Sequence, residues 1–327
     1  MFHPLILEYH GLSEDFSHTS DMDFNKLKGN INADAPVKST RIRVGRSIAG
    51  FGLSPGITKE QRLEMENLMK NAFAKLEGDL AGTYFPLQGM EESVRQQLVD
   101  DHFLFVSGDK NLITAGMERD WPEGRGIYHN EAKSFLVWVN EEDQLRIISM
   151  EKGKILKLIR DIESNFSLID LGGDVKGVFE RLARGIEGVR TSVKDESDKD
   201  FLLDEKYGYL HSCPTNLGTG MRASVHIDLP GWTKEGLDAL KKRYKFSQDF
   251  PKKNRCFDEF SFDFRCEELS LQPRGTRGES GGQTGCTYDI SNKHRLGYSE
   301  VELVQTMIDG VNTLYDEDLE LQKKHGE

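Results

Sequence analysis

Strand-sized apolar runs succeed one another along this chain without the helix between each pair that a parallel sheet demands. Residues 37–48, 103–105, 135–139, 145–150, 207–213 and 222–229 are rich in β-branched and aromatic side chains and read as strands. Helical periodicity covers about 58–76, 91–100, 175–191, 234–244 and 300–324, with Thr58 and Gln61 spaced as a capping pair at the start of the first. The pattern predicts an α+β fold, an antiparallel β-sheet flanked by α-helices, over residues 37–327. Residues 1–36 are polar and turn-rich and read as an extended lead-in that holds little core, and the acidic run 195–200 reads as a solvated loop.

Charge narrows the function classes. The 327 residues carry 43 Lys and Arg against 55 Asp and Glu, a net charge of −12 that disfavours nucleic-acid and anionic-membrane partners. An anionic ligand would need a local nest of arginines. No apolar stretch approaches the ~20 residues of a membrane span, and the first residues have no basic segment of a signal peptide. Cys213, Cys256, Cys266 and Cys286 match no zinc spacing, so a reduced, cytoplasmic setting is expected. The P-loop pattern, a well-placed G-x-G-x-x-G and H-E-x-x-H are all missing.

What stands out is the placing of arginines within apolar or Gly-rich segments. In Ser39-Thr40-Arg41-Ile42-Arg43-Val44-Gly45, residues two apart share a strand face, so Arg41 and Arg43 point one way and Ile42 and Val44 the other. Two guanidinium forks on one face suit an anion, although a solvated strand face is the plainer reading. Arg222 and His226 share a face in the same manner across Arg222-Ala223-Ser224-Val225-His226. His102 could donate to a phosphate or be structural. Asn140-Glu141-Glu142-Asp143-Gln144-Leu145-Arg146 reads as a hairpin turn, or as a carboxylate projected into an arginine-lined site. The glycine-rich run from Arg274-Gly275-Thr276-Arg277-Gly278-Glu279 to Gly285 suits a lid or a long surface turn. Cys213-Pro214-Thr215-Asn216 could offer backbone N–H groups to an anion, while a free Cys is commonly a small buried hydrophobe.

These segments, together with Asp100-Asp101-His102-Phe103, Val137-Trp138-Val139-Asn140-Glu141-Glu142-Asp143 and Tyr288-Asp289-Ile290-Ser291-Asn292, resemble the signature blocks of the phosphagen kinases, in the family's order. The resemblance implies a catalytic domain like that of glutamine synthetase and reversible phosphoryl transfer between ATP and a guanidino nitrogen. It implies nucleotide contacts at Ser39, Thr40, Arg41, Ile42, Arg43, His102, Arg146, Arg222, Ala223, Ser224, Val225, His226, Arg274, Gly275, Thr276, Arg277, Gly278 and Glu279. Glu142, Cys213 and Glu279 would meet the guanidino substrate, the two carboxylates orienting its nitrogen and Cys213 serving as a perturbed thiolate. Mg-ATP or Mg-ADP would enter as substrate, with Mg²⁺ held mainly by nucleotide and water and no metal ligand set in the protein.

Leu7-Glu8-Tyr9-His10 and Glu279 resemble the arginine-specific members, so L-arginine is the expected acceptor. Creatine, taurocyamine, or a truncated nucleotide-binding paralogue with little activity are the alternatives. Family members carry a small helical domain before the segment that starts near Phe2, and this sequence is expected to lack it. Residues 154–172 and 246–270 interrupt the resemblance and read as retained introns or surface insertions.

Overall fold

The computed structural model describes residues 2–101, 103–153, 172–236, 262–263, 269–273 and 285–326. Among these a nine-stranded sheet runs in the order β2-β3-β4-β5-β1-β8-β11-β10-β9. Its strands are β1 (Val37–Arg46), β2 (Gly82–Pro86), β3 (Gly126–Asn130), β4 (Phe135–Val139), β5 (Leu145–Lys152), β8 (Met221–Asp228), β9 (Phe262–Asp263), β10 (Leu269–Pro273) and β11 (Thr287–Asn292). Every pairing between neighbours is antiparallel. The short strands β6 (Leu203–Asp204) and β7 (Gly208–Tyr209) form a separate ribbon. The α+β architecture read from the sequence is therefore the one observed.

Strand alternation divides the sheet into two faces. Ile42 and Val44 of β1, Ile147 of β5 and Ala223, Val225 and Ile227 of β8 are fully buried on one side. There they meet the apolar stripes of α2 (Lys59–Phe73), α5 (Val175–Ser197) and α7 (Glu300–Lys324). Each such Val, Ile or Leu contributes roughly 1.5–3 kcal/mol of burial, which makes this face the source of the platform's rigidity. On the other side, α3 (Glu92–Asp100) and Phe103 cover only the β3–β5 end, through Leu98, Ile127, Leu136 and Ile148. The middle of that face, across β5, β1, β8 and β11, carries polar side chains.

Helix starts follow the local chemistry. Thr58 and Gln61 form a complete capping box on α2, as their spacing suggested, and Ser299 and Glu302 form another on α7. The glycines of α5 let it lie close: a Cβ at Gly185 would overlap the ring of Phe135.

Several local expectations need correction. Residues 1–36 are not merely extended: α1 (His3–His10) is a helix, and Leu27, Ile31 and Ala35 are buried in the main core. Pro4 near the helix start and Gly11 in the left-handed region at its end supply the start and stop signals. Residues 103–105 form no strand, because Phe103 and Phe105 serve as apolar cover over the sheet instead of pairing with it. Within 207–213 only Gly208–Tyr209 pairs, and Asp195–Ser197 finish α5. Most of 154–172 and of 246–270 lies outside the described residues, but Leu269 and Ser270 belong to β10 and are buried. Of the helix read at 234–244, Lys234 and Glu235 belong to the short α6 (Pro230–Glu235), and 237–244 lie outside the described residues.

Gly185→Ala tests the packing of α5. Alanine favours a helix by about 1 kcal/mol over glycine, but overpacking against the fully buried Phe135 costs about 1–3 kcal/mol. Urea unfolding should show a net loss of stability, and a stabilised variant would refute the close approach.

Candidate active site

The polar middle of the open face is an arginine basket. Cross-strand register places Arg43 directly opposite Arg222, and Gly45 opposite Arg146. Arg41 lies two residues before Arg43 on the same strand face, with its guanidinium 5.7 Å from the Trp138 ring, and Arg146 stands over the same ring at 5.7 Å. A cavity between them is lined by Arg43, Arg146, Arg222 and Arg295, with Asp143, Asn216 and the bare backbone of Gly45 and Gly220. Arg43 makes no ion pair among the described residues. Burial, then the charges of Arg146, Arg41 and Arg222, push the Arg43 pKa well below the ordinary value. Burial and the charges of Arg146 and Arg222 bring that of Arg41 down to about 10. So dense a positive cluster is poised for a polyanion.

One arginine is held by acids. Arg146 Nη1 lies 2.8 Å from Glu141 Oε2, and its Nη2 lies 2.9 Å from Glu142 Oε2 and 3.6 Å from Asp143 Oδ2. The turn that delivers these carboxylates is locally determined. Asn140 sits in the left-handed region, its N–H donates to Gln144 O at 2.8 Å, and its side chain donates to Gly124 O at 2.7 Å. Gln144 in turn accepts from Ile48 N–H at 2.7 Å and donates to Gly52 O at 2.9 Å, tying the turn to the end of β1. Both readings of 140–146 hold together: it is a hairpin turn, and it projects carboxylates into an arginine-lined site.

The carboxyl groups differ in their electrostatics. Burial raises the Glu142 pKa above the usual carboxylate value despite the opposing pull of Arg146. Burial acts in the same sense on Asp143, but His211, Arg146 and Arg43 outweigh it and hold that group at about 2.

Each residue singled out in the sequence can now be placed. Ser39, Arg41, Arg43, Arg146, Arg222, Ser224 and His226 share the open face, with Ser39 Oγ 3.2 Å from His226 Nδ1. Thr40, Ile42, Ala223 and Val225 turn their side chains to the helix-covered face, where Thr40 donates to Gly172 O at 2.7 Å, so only their backbone borders the site. Cys213 is buried beside the acidic turn, its Sγ 3.0 Å from Thr215 Oγ1. The surroundings of Cys213 oppose the expected thiolate. Burial, helped by the charges of Glu142 and Asp143, pushes the thiol pKa up. His102, Arg274, Gly275, Thr276, Arg277, Gly278 and Glu279 lie outside the described residues.

Sequence reasoning missed Arg295 and His211, and assigned no side-chain role to Asp289 or Asn216. Asp289 shares the open face through its register with His226 and lies 3.2 Å from Arg222 Nη2. Arg295 follows β11 and donates to Thr215 O at 2.9 Å, which links it to the Cys213 turn. The alternation of β11 was a usable signal for Asp289; Arg295 and His211 sit in aperiodic segments that gave none. Among the described residues no group of three or more His, Cys, Asp or Glu is placed to hold a metal ion, and no helix is long and apolar enough to cross a membrane.

Comparison with known sequences assigns the family. The sequence model of the ATP:guanido phosphotransferase C-terminal catalytic domain matches residues 64–247 and 252–321. The chain belongs to this family. It is 44% identical over 332 residues to an arginine kinase of Anthopleura japonica, covering 99% of this chain and 39% of that protein. It is 40% identical over 323 residues to the testis isozyme of creatine kinase from Oncorhynchus mykiss, covering 98% of this chain and 73% of that protein. A solved lombricine kinase superposes with a TM-score of 0.79 at 37% identity, over 99% of this chain and 78% of that one. The chain thus spans about two fifths of the Anthopleura protein and about three quarters of the other two.

The depressed Asp143 carboxyl makes a prediction for this phosphotransferase domain. Its folded value lies below the ordinary 3.8, so the stability it contributes is fully present above about pH 4 and is lost as pH falls to about 2. The contribution at neutral pH is about 2 kcal/mol. Asp143→Asn should lose about that much and show a flatter acid limb in urea unfolding; an unchanged limb would show that Asp143 is not the group responsible.

Proposed function

We propose that this chain transfers the γ-phosphoryl group of Mg-ATP reversibly to a guanidino nitrogen, with L-arginine as the acceptor, in a cytoplasmic setting. The observation that carries the proposal is the junction of two unlike subsites: a half-buried cluster of Arg41, Arg43, Arg222 and Arg295 that abuts, through the buried Arg146, the carboxylates of Glu141 and Glu142. Phosphoryl transfer asks for charge neutralisation and positioning more than for covalent help. The arginines would hold the phosphates, and the nucleotide and water would hold most of the Mg²⁺.

A guanidinium is the natural partner for the acidic end. Glu142 already binds the guanidinium of Arg146 at 2.9 Å, which is the contact a substrate guanidine would make. Its raised pKa suits a group that accepts a proton from the attacking nitrogen. Glu279 would supply the second carboxylate. Arginine is favoured over other guanidines by the similarity of Leu7-Glu8-Tyr9-His10 to arginine-specific members and by the arginine kinase relative. In the folded chain this segment is α1, which abuts the Cys213 turn: His10 Nε2 lies 3.0 Å from Pro214 O.

The test is ³¹P NMR of the purified chain with Mg-ATP and L-arginine, creatine, taurocyamine or lombricine in turn. A phosphoarginine resonance that outpaces the others is expected; a different N–P product reassigns the acceptor, and no N–P product from a cooperatively folded protein refutes the activity. Glu142→Gln should raise the KM for the guanidine at least about tenfold and lower kcat, with a smaller effect on the KM for nucleotide. Full activity in that variant would remove Glu142 from the guanidine site.

A further inference from the structure

Beneath the basket is a buried imidazole for which the phosphoryl-transfer reading has no use. His211 has a fully buried side chain, and its Nδ1 lies 3.4 Å from Asp143 Oδ1. That approach is within ion-pair range without being a hydrogen bond: neither ring nitrogen of His211, nor Asp143 Oδ1, has a hydrogen-bond partner among the described residues. The second oxygen of Asp143, Oδ2, accepts from Asn216 Nδ2 at 3.2 Å and lies 3.6 Å from Arg146 Nη2. One carboxylate is thus shared between an imidazole below the cavity and a guanidinium within it.

The sequence clears space for this contact at two places. A Cβ on Gly45 would stand 2.6 Å from His211 Cε1 and 2.9 Å from Asp143 Oδ2. A Cβ on Gly220, which has a positive φ, would stand 2.5 Å from His211 Nε2. Glycine inside a strand such as β1 weakens it and marks a close approach. Here what approaches is the His211–Asp143 pair.

We propose that His211 is a positioning residue for the phosphate-binding basket: it fixes the orientation of Asp143 and through it the direction of the Arg146 guanidinium. A proton carried on Nδ1 would point toward Oδ1, 3.4 Å away, while Oδ2 faces Asn216 and Arg146. Without the imidazole, both oxygens become available to Arg146 and Arg43. These arginines would then be drawn toward the protein carboxylate at the expense of an incoming phosphate.

The role deepens the nucleotide reading above and can be tested apart from catalysis, by calorimetric titration of Mg-ADP. His211→Leu keeps an apolar side chain in the space and removes the donor; it should weaken Mg-ADP binding about tenfold while the KM for the guanidine changes less. His211→Asn, whose amide nitrogen can occupy the place of Nδ1, should recover most of the loss. His211→Leu added to Asp143→Asn should weaken binding no further than Asp143→Asn alone. Equal Mg-ADP binding by wild type and His211→Leu, or Asn no better than Leu, would overturn the role. Where His211→Leu does not fold, His211→Gln, whose amide falls nearer the position of Nε2, replaces it as the variant lacking the donor. A wild type that does not bind Mg-ADP refutes the functional reading. The contact is then read without ligand from the NMR titration of the Asp143 carboxyl carbon, which should move upward in His211→Leu and move less in His211→Asn; no movement would overturn the link.

Discussion

Mutual repulsion among guanidinium groups is the constraint around which this molecule is organised. Like charges about 4 Å apart repel by about 1 kcal/mol in water and several times that in a less polar surrounding, and here Arg43, Arg146, Arg222 and Arg295 line one cavity while Arg41 adds its charge to those of Arg146 and Arg222. The fold can hold them because the opposite face of the same strands is largely apolar and buried against three helices. Ile42 and Val44 anchor the strand that displays Arg41 and Arg43, and Ala223 and Val225 do the same for Arg222. Stability is generated on one face and expended on the other. The acidic turn at 141–143 and Asp289 neutralise part of the field without filling the cavity.

The turn at 140–146 couples the two kinds of subsite mechanically. Its backbone is set by Asn140, its carboxylates reach Arg146, and Gln144 fastens it to Ile48 and Gly52. A shift of this turn therefore changes the acidic end and the arginine cluster together. The setting of Cys213 works against the expected thiolate: burial, and after it the charges of Glu142 and Asp143, push the thiol pKa up.

Much of this was legible in the sequence, for reasons that can be stated residue by residue. Period-two alternation in β1 and β8 put Arg41, Arg43, Arg222 and His226 on one face, and the antiparallel architecture followed from strands without crossover helices. What escaped was carried by segments without a period. His211 and Arg295 acquire partners only when distant loops meet, and Phe103 and Phe105 have strand-like composition but act as cover. Helix α1 is short, and its polar, turn-rich neighbours masked its Pro start and Gly stop. The glycine-rich run at 274–284, which carries Glu279, lies outside the described residues, and its place beside Glu142 rests on the family resemblance.

The pairing of Arg43 with Arg222 has a consequence in time as well as in space. More than half of the chain separates these two residues, yet β1 is the middle of the sheet and needs β5 on one side and β8 on the other. At synthesis rates of about 5–20 residues per second, on the order of ten seconds or more pass between the emergence of β1 and that of β8. Throughout that interval β1 has one open edge. Such contacts of long sequence separation are slow to form and leave strands exposed to mispairing. The alternate arginines that later receive the ligand also place repelling charges along that waiting edge, so the side chains of the site double as protection of the nascent strand against its own kind.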